Sequence, residues 1–572
     1  MNIKKMILAA MAALSALASN AQTTRLDPEF VSDYVTPTRI ILMEGDISNP
    51  EQLLRPYAGQ VSTSEKSVAN FKTSGDVRAS ILLDFGKETH GGIQIVRAIS
   101  ADQRAAKFRI CFGESVSEAM SNVDAKGSTA TNEHSVRDFD ISVPWLGSAE
   151  YGDTGFRFVR LDLLSSDVDV PLVAVRAVSK YRDIPYLGTF NCSDERLNEI
   201  WETGARTVHL NMQEYLWDGI KRDRLVWIGD MHPEVMSVNT VFGDHNVVRK
   251  SLDYVRDSTD PSQWMNTICS YSLWWIIIQD HLYKYYGDMD YLKAQHDYLG
   301  KLLRNVMANV DESRENYKDG RFIDWPSNDK PDVIHAGLQA ITVMALDAGA
   351  EMAGHLGDEP LREECEKVAA KMRKYVPDPC GSSQAAALLA ISGLLRPDKA
   401  ASVILKNGAY GFSSFMGYYM LEALAKNGDY EAAMDLISEY WGKMLDLGAT
   451  SFWEDFNFAD AQNAARIDEI VPEGKFDIHA DGGAYCYVGL RHSFCHGWAS
   501  GPTTWLSAHV LGIEPVGVGF DKISVRPHLG KLEWAEGSVP TPHGIIKVSV
   551  RKGKGGKPVV KLSLPEGIEI VK

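Results

Sequence analysis

The chain of 572 residues is poor in cysteine, with seven, at positions 111, 192, 269, 365, 380, 486 and 495. So few in so long a chain make no disulfide framework. The odd number leaves at least one thiol free, and no two stand in Cys-x-x-Cys spacing, so no structural zinc site is read. Most are expected to be buried small apolar residues. Three motifs are missing as well: a Gly-x-Ser-x-Gly elbow, a His-Glu-x-x-His helix and a Gly-Lys-Ser/Thr loop. Their absence argues against α/β-hydrolase serine, zinc-protease and P-loop chemistry. The glycine-rich stretch Gly553-Lys554-Gly555-Gly556 lies between two strand-like runs and reads as a hairpin turn. Positive charge is also scarce, with 59 Lys and Arg against 76 Asp and Glu, a net charge of −17. Such a chain would be repelled by a polyphosphate backbone or an anionic bilayer, so no nucleic-acid partner is expected. Past the N-terminus no apolar run reaches the roughly 20 residues that span a membrane, and no membrane insertion is expected. No ligand set for a catalytic metal is visible, and no cofactor is expected. The sequence leaves the oligomeric state open.

Apolar residues make up 45% of the chain and charged residues 24%, enough to bury sizeable cores. The aromatic load is 13 Trp, 22 Tyr and 19 Phe; flat aromatic faces serve both cores and sugar rings. Lys4 and Lys5, the apolar stretch Met6 to Leu17, and Ser19-Asn20-Ala21 before Gln22 have the build of a cleavable secretory leader over residues 1–21. The protein is therefore expected to be exported, to a periplasm or beyond the cell. Residues 22–186 run in short alternating stretches such as Ser80 to Gly86, Gly92 to Val96, Phe108 to Phe112 and Phe156 to Leu161, the pattern of an antiparallel β-sandwich. Residues 187–511 lengthen into helical runs, including Leu197 to Gln213, Leu273 to Tyr286, Pro360 to Tyr375 and Met416 to Ala425, with room for roughly a dozen helices of average length. Residues 512–572 return to strands: Lys522 to Pro527, Gly544 to Val550 and Val559 to Leu564.

Four polar clusters stand among large aromatics in the helical zone. Trp217-Asp218-Gly219-Ile220-Lys221-Arg222-Asp223-Arg224-Leu225-Val226-Trp227-Ile228-Gly229-Asp230 interleaves acids with cations. Gly448-Ala449-Thr450-Ser451-Phe452-Trp453-Glu454-Asp455-Phe456 places two carboxylates between Trp453 and Phe456. The others are Phe322-Ile323-Asp324-Trp325-Pro326 and Arg491-His492-Ser493-Phe494-Cys495-His496-Gly497-Trp498. Each alone reads as a charged turn or an aromatic core strip. Together, in an acidic, aromatic-rich chain, they suit carbohydrate hydrolysis, which needs two carboxyl groups astride a glycosidic bond and flat walls for the ring.

At these motifs the sequence resembles glycoside hydrolase family 78, the α-L-rhamnosidases. The family pattern Asp-Cys-Pro-x-Arg-Glu-x-x-Gly-Trp-x-Gly-Asp is met by Asp218, Arg222, Trp227, Gly229 and Asp230. Gly448 to Glu454 is similar to its Gly-Ala-Thr-Thr-x-Trp-Glu, Asp324-Trp325 to its Asp-Trp pair, and His496-Gly497-Trp498 to the stretch holding a substrate-contacting His. Val510-Leu511-Gly512-Ile513 resembles the exit into its last β-domain. The resemblance implies an (α/α)6 six-hairpin barrel flanked by N-terminal and C-terminal β-sandwich domains, cleaving terminal α-L-rhamnosyl residues from plant-type oligo- or polysaccharides with inversion. It implies Asp223 as general acid and Glu454 as general base. Asp218, Arg222, Trp227, Asp230, Asp324, Trp325, Trp453 and His496 would contact the sugar.

Four positions depart from the pattern. Asp223 stands where the family has Glu, one methylene longer. Gly219-Ile220 replaces Cys-Pro, and Val226 replaces the first Gly. Glu234, one helical turn past Asp230, is a substitute acid by position. Two other readings remain: a different (α/α)6 barrel glycosidase or uronyl hydrolase acting on pectic glycans, and a non-catalytic glycan-binding protein on a glycosidase scaffold.

Overall fold

The structure, a computed structural model, describes residues 27–571 apart from residue 76. The leader-like segment lies outside the described residues. The N-terminal domain is a nine-stranded sheet, antiparallel throughout. The runs Ser80 to Gly86 and Gly92 to Val96, read as separate strands in the sequence, are one strand, Ala79–Arg97. Its ladder with Gly147–Leu163 is interrupted between Asp84 and Thr89 and again between Gly91 and Ile93. Gly86 and Gly91 sit there with φ of 86° and 138°, a backbone that lets a bulge bend the strand without ending it. The bending folds the sheet on itself. Ala69–Thr73 and Ala106–Gly113 are four places apart in the strand order, roughly 19 Å along a flat sheet. Yet the rings of Phe71 and Phe108 meet at 6.0 Å. The core between the layers holds Phe71, Phe108, Ile110, Phe112, Phe156, Leu161 and Val175.

Twelve helices follow, and they close into a ring. Met231–Val241, Cys269–Tyr286, Pro331–Leu356, Ser383–Ile391, Gly417–Asn427 and Gly501–Trp505 each touch the next, and the last touches the first. Six further helices, beginning with Glu195–Asn211 and ending with Tyr430–Asp446, alternate with these in sequence and form the outer layer. Burial separates the two sets. Met231–Val241 is buried along its whole length, whereas Asn246–Ser258 buries only Val247, Val248, Ser251, Leu252 and Val255, the stripe of an amphipathic surface helix. Pro331–Leu356 is long and apolar enough to cross a membrane, but its most apolar stretch is 83% buried inside the ring. Local signals set the ends. Asp194, Asp288 and Asp358 accept backbone N–H groups at N-termini, and Gly287, Gly357 and Gly428 close C-termini at positive φ, as such caps require. This is the (α/α)6 barrel with flanking β-domains. All seven cysteines are free, and five are buried.

The C-terminal domain has a four-stranded sheet, and one of its strands comes from ahead of the barrel. Thr189–Cys192 pairs with Trp534–Thr541, Phe190 opposite Gly537. On leaving the barrel the chain first forms Ile513–Pro515, in a separate three-stranded sheet, before it pairs with the entry strand.

The N-terminal sandwich grips the barrel through a buried lysine. Lys221 Nζ lies 2.8 Å from Glu118 and 3.4 Å from Glu114, and it donates to the carbonyls of Leu490 and His492 at 2.7 and 2.6 Å. Arg137 adds a 3.0 Å pair to Glu118. Glu114, Glu118 and His479 lie close enough together to ligate a metal, but the Lys221 ammonium is the cation they surround, 3.4 Å from His479 Nε2. Removing one partner of a buried pair leaves an uncompensated charge. Lys221→Ala is accordingly expected to destabilise the protein by about 3–5 kcal/mol, read as a lowered urea midpoint, and Lys221→Arg to recover part of the loss.

Candidate active site

Each link from an outer helix to the next inner one falls at the same end of the barrel. Four of these links are long, 212–230, 259–268, 309–330 and 447–500, and they wall a pocket of about 510 Å³, within the size of small-ligand sites. Its lining includes Asp218, Arg222, Asp223, Trp227, Asp230, Trp325, Glu454 and His496.

Backbone pairing brings the motifs together. Gly219 pairs with His496 in an isolated antiparallel bridge, and Gly497 N donates to the Asp218 carbonyl at 2.8 Å. The motif glycines are sterically required. A Cβ on Gly229 would stand 2.0 Å from the Tyr271 ring, and one on Gly497 2.1 Å from Glu234. The Asp218 carboxylate then accepts the backbone N–H groups of Asp223 at 2.8 Å and Leu225 at 2.9 Å, closing the loop that presents Arg222 and Asp223.

Arg222 bridges the two candidate catalytic carboxylates. Its Nη1 donates to Asp223 Oδ1 at 2.8 Å and its Nη2 to Glu454 Oε1 at 3.2 Å. Asp223 Oδ2 accepts from Trp227 Nε1 at 3.2 Å, and Glu454 Oε2 from Ser493 N at 3.1 Å. His496 lies between Glu454 and Asp230, with Nε2 at 3.2 Å from Asp230 and Nδ1 at 3.8 Å from Glu454. Tyr271 donates to the other Asp230 oxygen at 3.0 Å.

Burial governs the protonation of this set. It pushes Asp218 up to about 7, helped by the charges of Asp223 and Asp230 and opposed by His496. It raises Asp230 too, against the hydrogen bond from His496. For His496 burial pulls the other way, but the bond to Asp230 and the surrounding carboxylates outweigh it, and the imidazole keeps its proton more tightly than usual.

A run of edge-to-face aromatics forms another wall. Trp227 meets Tyr271 at 6.1 Å, Tyr271 meets Phe322 at 6.2 Å, Phe322 meets Trp325 at 5.1 Å, and Trp325 meets Tyr487 at 6.1 Å. The geometry is that of interlocking aromatic pairs, and it offers an apolar surface to a ligand.

Two expected sugar contacts lie outside the lining. Trp453 is 1% exposed; its indole stacks on Phe494 at 4.3 Å and packs edge-on against Phe456. Its sequence neighbour Glu454 faces the pocket, while the large apolar ring gains more from the core. Asp324 is buried behind Trp325, accepting from Trp325 N and Ser413 Oγ. Glu234, the substitute acid by position, is also outside, with both oxygens buried and unpartnered and burial pushing its carboxyl well above the usual carboxylate range. Sequence reasoning missed Tyr271, Phe322, Tyr487, Arg321 and Arg491, which line the pocket. Phe322 and Arg491 stood in quoted clusters without being singled out, and Tyr271, Arg321 and Tyr487 lay outside all four.

The ring of inner helices with a carboxylate-rich, aromatic-walled pocket at one end defines a six-hairpin glycosidase scaffold. The bacterial α-L-rhamnosidase 6-hairpin glycosidase domain profile matches residues 185–510, and the bacterial α-L-rhamnosidase C-terminal domain profile matches residues 512–571. The chain belongs to the bacterial α-L-rhamnosidases of glycoside hydrolase family 78. It is 23% identical over 554 residues to an α-L-rhamnosidase of Alteromonas sp. (strain LOR), covering 88% of this chain and 57% of that protein. It is 22% identical over 547 residues to one from Streptomyces avermitilis, covering 89% and 49%. The chain thus spans about half the length of the curated relatives it matches. In fold it is similar to a GH78 family rhamnosidase of Bacillus sp. GL1, with a TM-score of 0.73, 21% identity, and coverage of 91% of this chain and 55% of that one. The Streptomyces avermitilis α-L-rhamnosidase complexed with L-rhamnose superposes with a TM-score of 0.70 at 18% identity, covering 96% and 50%.

Asp324 generates a pH-dependent effect. Burial pushes its carboxyl up to about 7, whereas the ordinary value is 3.8. Between these values the folded chain holds a proton that the unfolded chain has released, so this group makes stability fall as pH rises from about 4 to 7. Asp324→Asn, which keeps an acceptor for Trp325 N, is expected to match the parent near pH 4 and exceed it by about 4 kcal/mol near pH 8. Urea titrations at the two pH values check this, and a difference independent of pH would contradict it.

Proposed function

We propose that the chain is an exported glycosidase that removes terminal α-L-rhamnosyl residues from plant-type oligo- or polysaccharides with inversion. The observation that carries this reading is the pair Asp223 and Glu454, held by one guanidinium in an aromatic-walled pocket of a family 78 chain. The related Streptomyces avermitilis enzyme, crystallised with L-rhamnose, supports the choice of sugar.

In the proposed reaction, Asp223 gives its proton to the glycosidic oxygen as the bond to the anomeric carbon breaks. Glu454 takes a proton from a water that attacks that carbon from the opposite face. Free sugar and aglycone alcohol leave, with Asp223 ionised and Glu454 protonated; exchange with solvent restores both. Arg222 steadies whichever carboxylate is charged at each stage. Bridging by one guanidinium caps the separation of the bonded oxygens at roughly 8 Å, a bound that admits the about 6.5–9.5 Å carboxyl spacing of an inverting pair. The family resemblance favours inversion over retention. Trp227, Tyr271, Phe322 and Trp325 supply the apolar face for the ring, and Asp218, Asp230 and His496 its polar contacts.

With an aryl α-L-rhamnoside as substrate, Glu454→Gln and Asp223→Asn are each expected to lower kcat by at least about 100-fold. Proton NMR of the first turnovers should show β-L-rhamnose ahead of mutarotation. Hydrolysis untouched by either substitution would sink the assignment, and binding without hydrolysis in the parent would favour a glycan-binding role. Cleavage of uronides in preference to rhamnosides would favour the uronyl-hydrolase reading. Export rests on the leader at residues 1–21, and N-terminal sequencing of protein recovered outside the cytoplasm should begin at Gln22.

A further inference from the structure

We propose that His134, carried by the N-terminal sandwich, is a positioning residue for Asp223, which makes the sandwich part of the catalytic unit. The inference rests on the reading of Asp223 as proton donor. His134 Nε2 stands 3.3 Å from Asp223 Oδ1, the oxygen that also receives Arg222 Nη1 at 2.8 Å. Oδ2 has one partner, Trp227 Nε1. The Arg222 hydrogen bond and the His134 ring packed at ion-pair distance on the same side fix the rotation of the carboxyl and leave Oδ2 a free position for the transferable proton, since a protonated carboxyl oxygen can donate one hydrogen bond while accepting another.

The loop that brings His134 to Asp223 is tied to the barrel on both sides. Thr129 Oγ1 accepts from Leu490 N at 2.9 Å, Glu133 accepts from Arg491 Nε at 3.1 Å, and Ser135 Oγ donates to the Lys221 carbonyl at 2.9 Å. Between them the backbone of His134 is left-handed, with φ of 69°, a conformation that residues other than glycine adopt only when their surroundings impose it. The His134 side chain is 26% exposed and Glu133 lies 3.8 Å away, but the closer contact is to Asp223. Asp223 has one methylene between backbone and carboxyl, so its oxygens move little without breaking the contacts named above.

The test separates acid assistance from general structure. His134→Ala is expected to lower kcat about tenfold on alkyl α-L-rhamnosides, whose leaving oxygen needs the proton. KM should stay within about twofold, because the sugar contacts are intact. Hydrolysis of a dinitrophenyl rhamnoside, whose leaving group departs without a proton, should not change. His134→Gln, which keeps a polar side chain of similar reach beside Oδ1, should recover part of the alkyl rate. An equal fall on both substrates would make His134 merely structural, and no change on either would overturn the proposal. A crystal structure of His134→Ala gives a readout that does not depend on the substrate: the Asp223 carboxyl should rotate away from the vacated side. An unmoved Asp223 overturns the proposal, whatever the sugar. A rotated Asp223 in a protein whose parent cleaves no rhamnoside overturns the rhamnosidase reading alone.

Discussion

Arg222 donates to Asp223 with one nitrogen and to Glu454 with another, and only 6% of its side chain meets water. At an effective dielectric near 20, a pair of charges about 4 Å apart attract by about 4 kcal/mol, while taking each ion out of water costs several kcal/mol. Attraction and desolvation nearly offset each other, so the triad adds little to stability. What it contributes is geometry: two carboxyl groups on different loops, 231 residues apart in sequence, are held to one planar fork. The Asp218 turn and the Gly219–His496 bridge shape the loop that carries that fork.

Both β-domains participate in holding it. The residue before Arg222 is Lys221, whose ammonium is sunk among Glu114 and Glu118 of the sandwich. Adjacent residues of one loop therefore point in opposite directions, one cation into the domain joint and one into the pocket. The sandwich also meets the Glu454 side of the site, where Glu114 accepts from Phe494 N at 2.7 Å, next to the Ser493 N–H that reaches Glu454. At the far end, Thr189–Cys192 ties the entry of the barrel to the sheet that follows it. The sandwich joints hold the first and last of the loops that build the pocket.

Much of this was legible in the residues. Strand alternation, helical runs and caps gave the β–α–β order, because those patterns are local. The clusters around Asp218 to Asp230, Gly448 to Glu454 and His496 to Trp498 marked the site, because paired carboxylates among tryptophans are uncommon on an idle surface. Other parts were hidden for physical reasons. The one long bent strand Ala79–Arg97 reads as two, since a bulge and a turn share the same glycine signal. Trp453 and Glu454 are neighbours in sequence, and nothing in the sequence tells which faces the pocket; packing against Phe494 and Phe456 decides it. Tyr271 sits one turn into a buried helix and looks like core until the barrel closes.

Sequence by itself determined the β–α–β order and the family and singled out Asp223 and Glu454 as candidate carboxylates, because each is written in residue type and short spacing. Tertiary structure alone decided that one arginine joins Asp223 to Glu454, that Lys221 plugs the domain joint, that His134 reaches Asp223, and that burial pushes Asp218 up to about 7. Those outcomes depend on distances between distant segments and on the exclusion of water. Both arise only when the ring of helices and the sandwich have packed together.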